Sequence, residues 1–381
     1  MSKSLKELRP VYVVGIGLHR YQFLSDTTYI DLALTAVRAA LADADIEWPT
    51  VESAYVGRAL LPMACGRPIL RHLGATGIPI AHIENASASG STAFRHACIE
   101  VASGMSDVSL ALGVDKPMAI ARSEGLTGIG NLADDAIAPF THFALLADQY
   151  ATQYGVRHED IALVAVKNHR NGAKNPFAQH QKERTLDEIL GGKKISGTFT
   201  SLQCTPVGEG AAAVIVASED GIKRLGINAS RAMRVAASAG RSQKVNIDAT
   251  RYDAVLTKQT AEVAFQESGI SPRALDIVEL HDAFTVEEVE YVEAMGICGE
   301  GEAISRLKDG EFDIGGRCAV SASGGLISMG HPIGPTGLGQ IAEIARQLRG
   351  EAGNRQHPSA RTGLAHMVGV GAVCYVHILQ K

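Results

Sequence analysis

The stretch "ENASASGS", residues 84–91, is where the reading of this chain is decided. An apolar, strand-like run precedes it, and the alanine-rich text "STAFRHACIEVASG" (91–104) that follows reads as a helix. A loop between a strand and a helix head presents a side chain beside free backbone N–H groups, which favour developing negative charge. Ser87 is the side chain so placed. A serine ahead of a helix is more often a cap, so the rest of the chain has to weigh the two uses.

The tetrapeptide "SASG" occurs twice, at Ser87–Gly90 and at Ser321–Gly324, each time after an extended stretch and ahead of a helix-like one. Around the first copy, apolar runs at 11–17, 51–57 and 108–116 read as strands and 28–46 as a helix. Text from 118 to 200 turns polar, as in "VKNHRNGAKNPFAQHQKERTLDEILGG", and "CTPVGEGAAAVIVASED" (204–220) returns to a core strand. From 231 a second alternating series begins and ends at "GLAHMVGVGAVCYVHIL" (363–379), two buried strands around a turn. This alternation predicts a mostly parallel, buried sheet flanked by helices, built from two similar halves.

Composition agrees with a packed α/β protein: of 381 residues 40 are glycine and only 5% aromatic. A net charge of −5, spread without blocks of one sign, gives no footprint for nucleic acid. With no long apolar run and a polar N-terminus, the expectation is a cytoplasmic protein with no membrane segment. Six scattered cysteines (Cys65, Cys98, Cys204, Cys298, Cys318, Cys374) suggest neither disulfides nor a metal site.

Three segments concentrate reactive side chains: Ser87, His281 in "ELHDAF", and His331 in "SGGLISMGHPIGPTG". A hydroxyl at a helix head with an imidazole nearby is the arrangement used for acyl transfer. Taken singly, each histidine is as well explained by a structural role. The other histidines, His142 and His366 among them, are assigned no chemistry.

Together these segments resemble one family. "VVGIG", "ENASASGSTAF", "GVDKPM", "VKNHRNGAKNP", "CTPVGEGAAA", "ELHDAF", "SGGLISMGHPIG", "QLRGEAGNRQ" and "GVGAVCYV" are similar to the thiolase superfamily, sterol-carrier-protein-2 type, over nearly the whole chain. The resemblance implies a five-layered αβαβα fold of two halves: residues 1–117 continued at 201–225, a loop domain at 118–200 inserted in the first half, and 226–381. It places the family's nucleophilic cysteine on Ser87, the histidine that activates the nucleophile on His331, and an oxyanion-hole histidine on His281. The family's proton-transferring cysteines fall on Ala283 and Met367, and "GATG" becomes "GPTG" with Pro335.

The implied activity is thiolase-type acyl transfer, cleaving or forming the C–C bond of a 3-oxoacyl-CoA. No cofactor is bound permanently; coenzyme A is a substrate, with Lys167, His169, Arg170 and Gly325 as its candidate contacts. The resemblance implies a homodimer or dimer of dimers, and a small zinc-ribbon/OB-fold subunit as a partner type in this family. Because a serine hydroxyl needs a base during attack where a thiolate does not, three readings stay open. Either the chain is a Cys-to-Ser form of such a thiolase, or it is a cysteine-lacking aldolase that splits a 3-hydroxyacyl-CoA, or it is a non-catalytic acyl-CoA-binding subunit.

Overall fold

A computed structural model describes residues 4–117, 139–244, 252–369 and 373–381. In chain order its strands are β1 (Tyr12–Gln22), β2 (Ser53–Gly57), β3 (Ile80–Ile83), β4 (Val108–Asp115), a small hairpin β5 (Lys194–Ser196) and β6 (Phe199–Thr200), β7 (Glu209–Ala217), β8 (Met233–Ser242), β9 (Ile277–Glu279), β10 (Ala319–Val320), β11 (Thr362–Gly369) and β12 (Val373–Gln380). All but the hairpin join one sheet in the order β10-β9-β11-β12-β8-β1-β7-β4-β2-β3.

That order contains the same pattern twice. The first half stands β3-β2-β4-β7-β1 and the second β10-β9-β11-β12-β8, so each half lays its strands third, second, fourth, fifth, first. In both, the first two pairings are parallel and the last two antiparallel. A short antiparallel contact at Tyr12↔Arg234 and Val13↔Met233 joins them. The expected mostly parallel sheet is therefore corrected: five of nine pairings in it are antiparallel. The reason is that each half's last strand returns beside its first, against the direction of the βαβ units.

Period-two burial divides the strands between layers. On β7, Ala211, Ala213, Ile215 and Ala217 face the helix Tyr29–Ala44, while Ala212, Val214 and Val216 face inward. The inward layer holds Phe94 and Ala97 of the helix Ser89–Ala102 together with Leu338, Ile341 and Ala345 of the helix Thr336–Arg349. On the far side, Val376 and Ile378 of β12 pack with Leu256 and Ala264 of the helix Tyr252–Ser268. Two outer helix layers thus sandwich two half-sheets and a shared central helix pair, the five-layered arrangement. Phe94 at the centre is fully buried, and its loss to alanine costs about 3–5 kcal/mol. Close layers need small residues: a Cβ on Gly17 would lie 2.1 Å from the Ala36 carbonyl oxygen.

Between β4 and β7 the chain forms the helices Pro139–Tyr154, His158–Gly172 and Leu186–Leu190 and the hairpin. No helix among the described residues is long and apolar enough to cross a membrane.

Candidate active site

The loop after β3 turns sharply before its helix. Ala86 takes a left-handed backbone, φ 49°, which costs a non-glycine residue about 1–2 kcal/mol. Local bonds hold that turn: the Ser89 hydroxyl donates to the Ala86 carbonyl at 2.7 Å, and the Asn85 N–H donates to Ser89 Oγ at 2.8 Å. Ser87, buried at 5% exposure, is left to face the second half of the molecule.

What it faces is the loop ahead of the helix Thr336–Arg349, 244 residues away in sequence. Ser87 Oγ lies 2.9 Å from His331 Nε2. His331 Nδ1 lies 2.8 Å from Thr336 Oγ1. Packing around its ring, and then the neighbouring His281, hold the His331 pKa well below the ordinary imidazole value. It is therefore neutral at physiological pH. The tautomer that accepts from the Ser87 hydroxyl at Nε2 carries its proton on Nδ1 and donates it to Thr336.

The His331 loop is pinned from the first half. Asp115, at the end of β4, accepts N–H bonds from Ala59, Leu60, Leu61 and Gly334 at 2.8 to 3.2 Å. Tyr21, fully buried, donates to the Pro335 carbonyl at 3.0 Å. The approach is close: a Cβ on Gly90 would meet the Gly334 oxygen at 2.4 Å. Ile333 in this loop is also left-handed, φ 62°, a strained state for a β-branched residue.

His281 follows β9 and meets His331 edge to face, ring centroids 5.4 Å apart. Its Nδ1 lies 2.9 Å from Glu287 Oε1, while its Nε2 is buried without a partner. Glu287 caps its own helix, Thr285–Ala294, by accepting from the Phe284 N–H at 2.9 Å, and also accepts from the Tyr291 hydroxyl at 3.1 Å. Ala283, where the resemblance places a proton-carrying thiol, contributes only a methyl group, and Met367 is fully buried on β11.

The candidate coenzyme A contacts fare differently. Lys167 is 2% exposed, ion-paired with Glu288 at 3.0 Å and bonded to Asn168 Oδ1 and the Val320 carbonyl at 2.6 Å. His169 is buried against the Leu202 carbonyl, and burial pushes its pKa down to about 4. Neither presents a charge to solvent. Arg170 is partly exposed but paired with Asp313 at 2.5 Å. Gly325 is enclosed; a Cβ there would lie 2.0 Å from Asp282 Oδ2.

The segment instead forms a floor beneath the site. Asn168, Asn171 and Asn175 donate to Asp282 Oδ2, the Ser321 carbonyl and the Ser323 carbonyl at 2.7, 3.1 and 2.8 Å. Its run of asparagines was the signal for this role. Glu287, Thr336 and His366 were missed by the reading of the sequence. A capping pattern in "FTVE" could have marked Glu287, but nothing local marks the others. Among the described residues, no group of three or more His, Cys, Asp and Glu is placed to hold a metal ion.

With this geometry fixed, comparison with known proteins gives consistent matches. Residues 14–186 match the family "Thiolase, N-terminal domain" and 238–381 match "Thiolase C-terminal domain-like". Sterol carrier protein 2 of Homo sapiens is 36% identical over 98% of this chain and 72% of its own length. The benzoylsuccinyl-CoA thiolase subunit of Thauera aromatica is 35% identical over 96% of each chain. Among solved structures, the Ltp2-ChsH2(DUF35) aldolase superposes with a TM-score of 0.80 at 22% identity, covering 97% of both chains. Human mitochondrial 3-ketoacyl-CoA thiolase in complex with CoA does so with 0.74 at 20% identity over the whole of both.

Proposed function

From the premise that this chain belongs to the thiolase family, we propose that it makes or breaks the C–C bond of a 3-oxoacyl-CoA by acyl transfer, with coenzyme A as the acyl acceptor. The observation that carries this reading is the 2.9 Å contact between Ser87 Oγ and the neutral His331. A hydroxyl is a nucleophile only while a base takes its proton, and an unprotonated imidazole within hydrogen-bond reach is such a base.

In the cleavage direction, Ser87 attacks the 3-keto carbon as His331 Nε2 takes the hydroxyl proton. Thr336 fixes the ring by accepting from Nδ1. Negative charge gathers on the thioester oxygen of the departing enolate. His281 Nε2 is buried and unpartnered; Glu287 holds Nδ1, and Nε2 is the ring nitrogen left to face that oxygen. The acyl group then sits as an oxygen ester on Ser87, and the thiol of a second coenzyme A removes it.

A second reading is supported by Ala283 and by the hydroxyl at position 87. Retro-aldol cleavage of a 3-hydroxyacyl-CoA needs a base for the substrate hydroxyl and donors for the enolate, but no nucleophile. His331 and His281 would serve unchanged. Under either reading the protein works as a homodimer or dimer of dimers. The Thauera relative is named as a subunit and the aldolase is solved with ChsH2(DUF35), so the proposal extends to a small companion chain.

The test is a pair of assays on the parent and on Ser87→Cys. Thiolysis, followed as loss of 3-oxoacyl-CoA enolate absorbance on adding coenzyme A, should appear or rise in the variant. Absence of that gain, with aldehyde or ketone released from a 3-hydroxyacyl-CoA by the parent, selects the aldolase reading. Acyl-CoA binding with no turnover in either assay selects a non-catalytic subunit.

A further inference from the structure

With alanine at position 283, the site lacks one proton carrier. Thiolytic and retro-aldol cleavage both end with protonation of an acyl-CoA at its α-carbon, and condensation begins by removing that proton. His331 is engaged by Ser87 and Thr336, and His281 is held by Glu287.

A carboxyl group enters the same neighbourhood from the outer helix. Asp253 lies in the first turn of the helix Tyr252–Ser268. Four residues on, on the same helix face, the Thr257 hydroxyl lies 2.9 Å from His366 Nε2. His366 Nδ1 accepts from the His281 backbone N–H at 3.4 Å, and the Tyr291 ring packs edge-on against His366 with centroids 4.9 Å apart. Tyr291 donates to Glu287, which holds His281, so these contacts close into a ring with Asp253 one helical turn above it. Two buried polar atoms of the cluster have no partner: Asp253 Oδ1 and His281 Nε2. A buried polar atom left without a partner is unfavourable, and a substrate bonding to both would satisfy them.

We propose that Asp253 is the acid–base group that exchanges the α-proton of the bound acyl-CoA, the task a thiol at position 283 would otherwise perform. On removal, the Cα–H bond breaks and an O–H bond forms on the Asp253 carboxylate. The electron pair passes to the thioester oxygen, opposite His281 Nε2. On protonation of the enolate the carboxylic acid returns the proton. The titratable groups that face Asp253 are His281 and Glu287, Tyr291 of the same helix as Glu287, and Cys374 of β12. Burial and then Glu287 push its carboxyl up to about 7, against the opposing pull of His281. A group near neutrality is populated in both forms, as a proton carrier must be.

The inference rests on the acyl-CoA reading but not on Ser87, because α-proton exchange needs no nucleophile. The test is deuterium incorporation at Cα of acetyl-CoA and butyryl-CoA in D2O, followed by 1H NMR across pH 5–9. The parent should exchange with a rate that rises through about pH 7 as the carboxylate forms. Asp253→Asn should slow exchange about 100-fold or more and remove that rise, while Asp253→Glu, which keeps the carboxyl, should recover to within about tenfold of the parent. Parent-like exchange in Asp253→Asn, or a Glu variant as slow as the Asn one, overturns the role of Asp253 and leaves the acyl-CoA reading standing. No exchange by the parent with either thioester overturns both.

Discussion

The two copies of "SASG" are the same four residues in equivalent places of a duplicated fold, yet the chain spends them differently. At Ser87–Gly90 the left-handed non-glycine residue is Ala86, one position before the tetrapeptide; at Ser321–Gly324 it is Ser321 itself, φ 54°. The turn is offset by one residue. In the first copy Ser87 is left facing a neutral imidazole across the interface of the halves. In the second, Ser323 donates from its hydroxyl to Glu279 Oε2 at 2.6 Å and from its N–H to Oε1 at 2.8 Å, and Asn171 and Asn175 bind the loop's carbonyls. One copy leaves a hydroxyl facing an imidazole and satisfies the rest of the loop locally. Its twin commits Ser323 and the loop carbonyls to buried partners and leaves the Ser321 hydroxyl unbonded.

The largest effect belongs to the first copy. His331→Ala removes the base and should lower kcat/KM for the cleavage shown by the parent by about 10³-fold, with the chain still folded. A variant that retains more than a tenth of the parent's kcat/KM would deny His331 its role.

Stability should respond in the opposite sense. Ser323→Ala strips a bond from the buried Glu279 and from the Gly325 N–H, and should cost about 2–3 kcal/mol in urea unfolding. Ser87→Ala, which loses one bond to a half-buried ring, should cost about 1 kcal/mol or less while removing acyl transfer. If the two costs come out equal, the contrast between a working loop and a structural one is wrong.

The repeat, the halves and the three segments bearing Ser87, His281 and His331 were legible because each is a local signal: alternation, a turn, a short motif. What was not legible depends on burial that no local pattern reveals. Lys167 and His169 are candidate coenzyme A contacts in the sequence and lie in the interior, where Glu288 and the Val320 carbonyl satisfy the ammonium. Asp253 carries no motif at all; it matters only because a helix from the second half brings it towards His281. The strand directions failed for a related reason, since the return of β7 to β1 and of β12 to β8 is a long-range choice.

The two loops should also differ in how pH weakens the fold. Glu279 holds its proton up to about 8, chiefly through burial and then through Glu343, against an ordinary value of 4.5. Between those values the unfolded chain binds fewer protons than the folded one, so this group's contribution falls as pH rises. His331 is shifted down, so the unfolded chain binds more protons below about 6.5 and stability falls as pH drops. Glu279→Gln should therefore flatten the alkaline decline in unfolding free energy between about pH 5 and 8 and leave the acid decline in place. An unchanged alkaline limb would mean that Glu279 is ionised in the folded protein.

The smallest effect isolates the one-residue offset itself. A left-handed backbone costs a residue with a Cβ about 1–2 kcal/mol, and glycine recovers that at the expense of about 0.5–1 kcal/mol of unfolded-chain entropy. Ala86→Gly should thus change stability by no more than about 1 kcal/mol. Ser321→Gly makes the same exchange but also removes a buried hydroxyl that has no partner, so it should stabilise by about 1 kcal/mol more than Ala86→Gly. The measurement is urea unfolding of both variants against the parent. A Ser321→Gly protein less stable than the parent would show that this hydroxyl is bonded in solution, and that the second loop holds its strained turn for a purpose of its own.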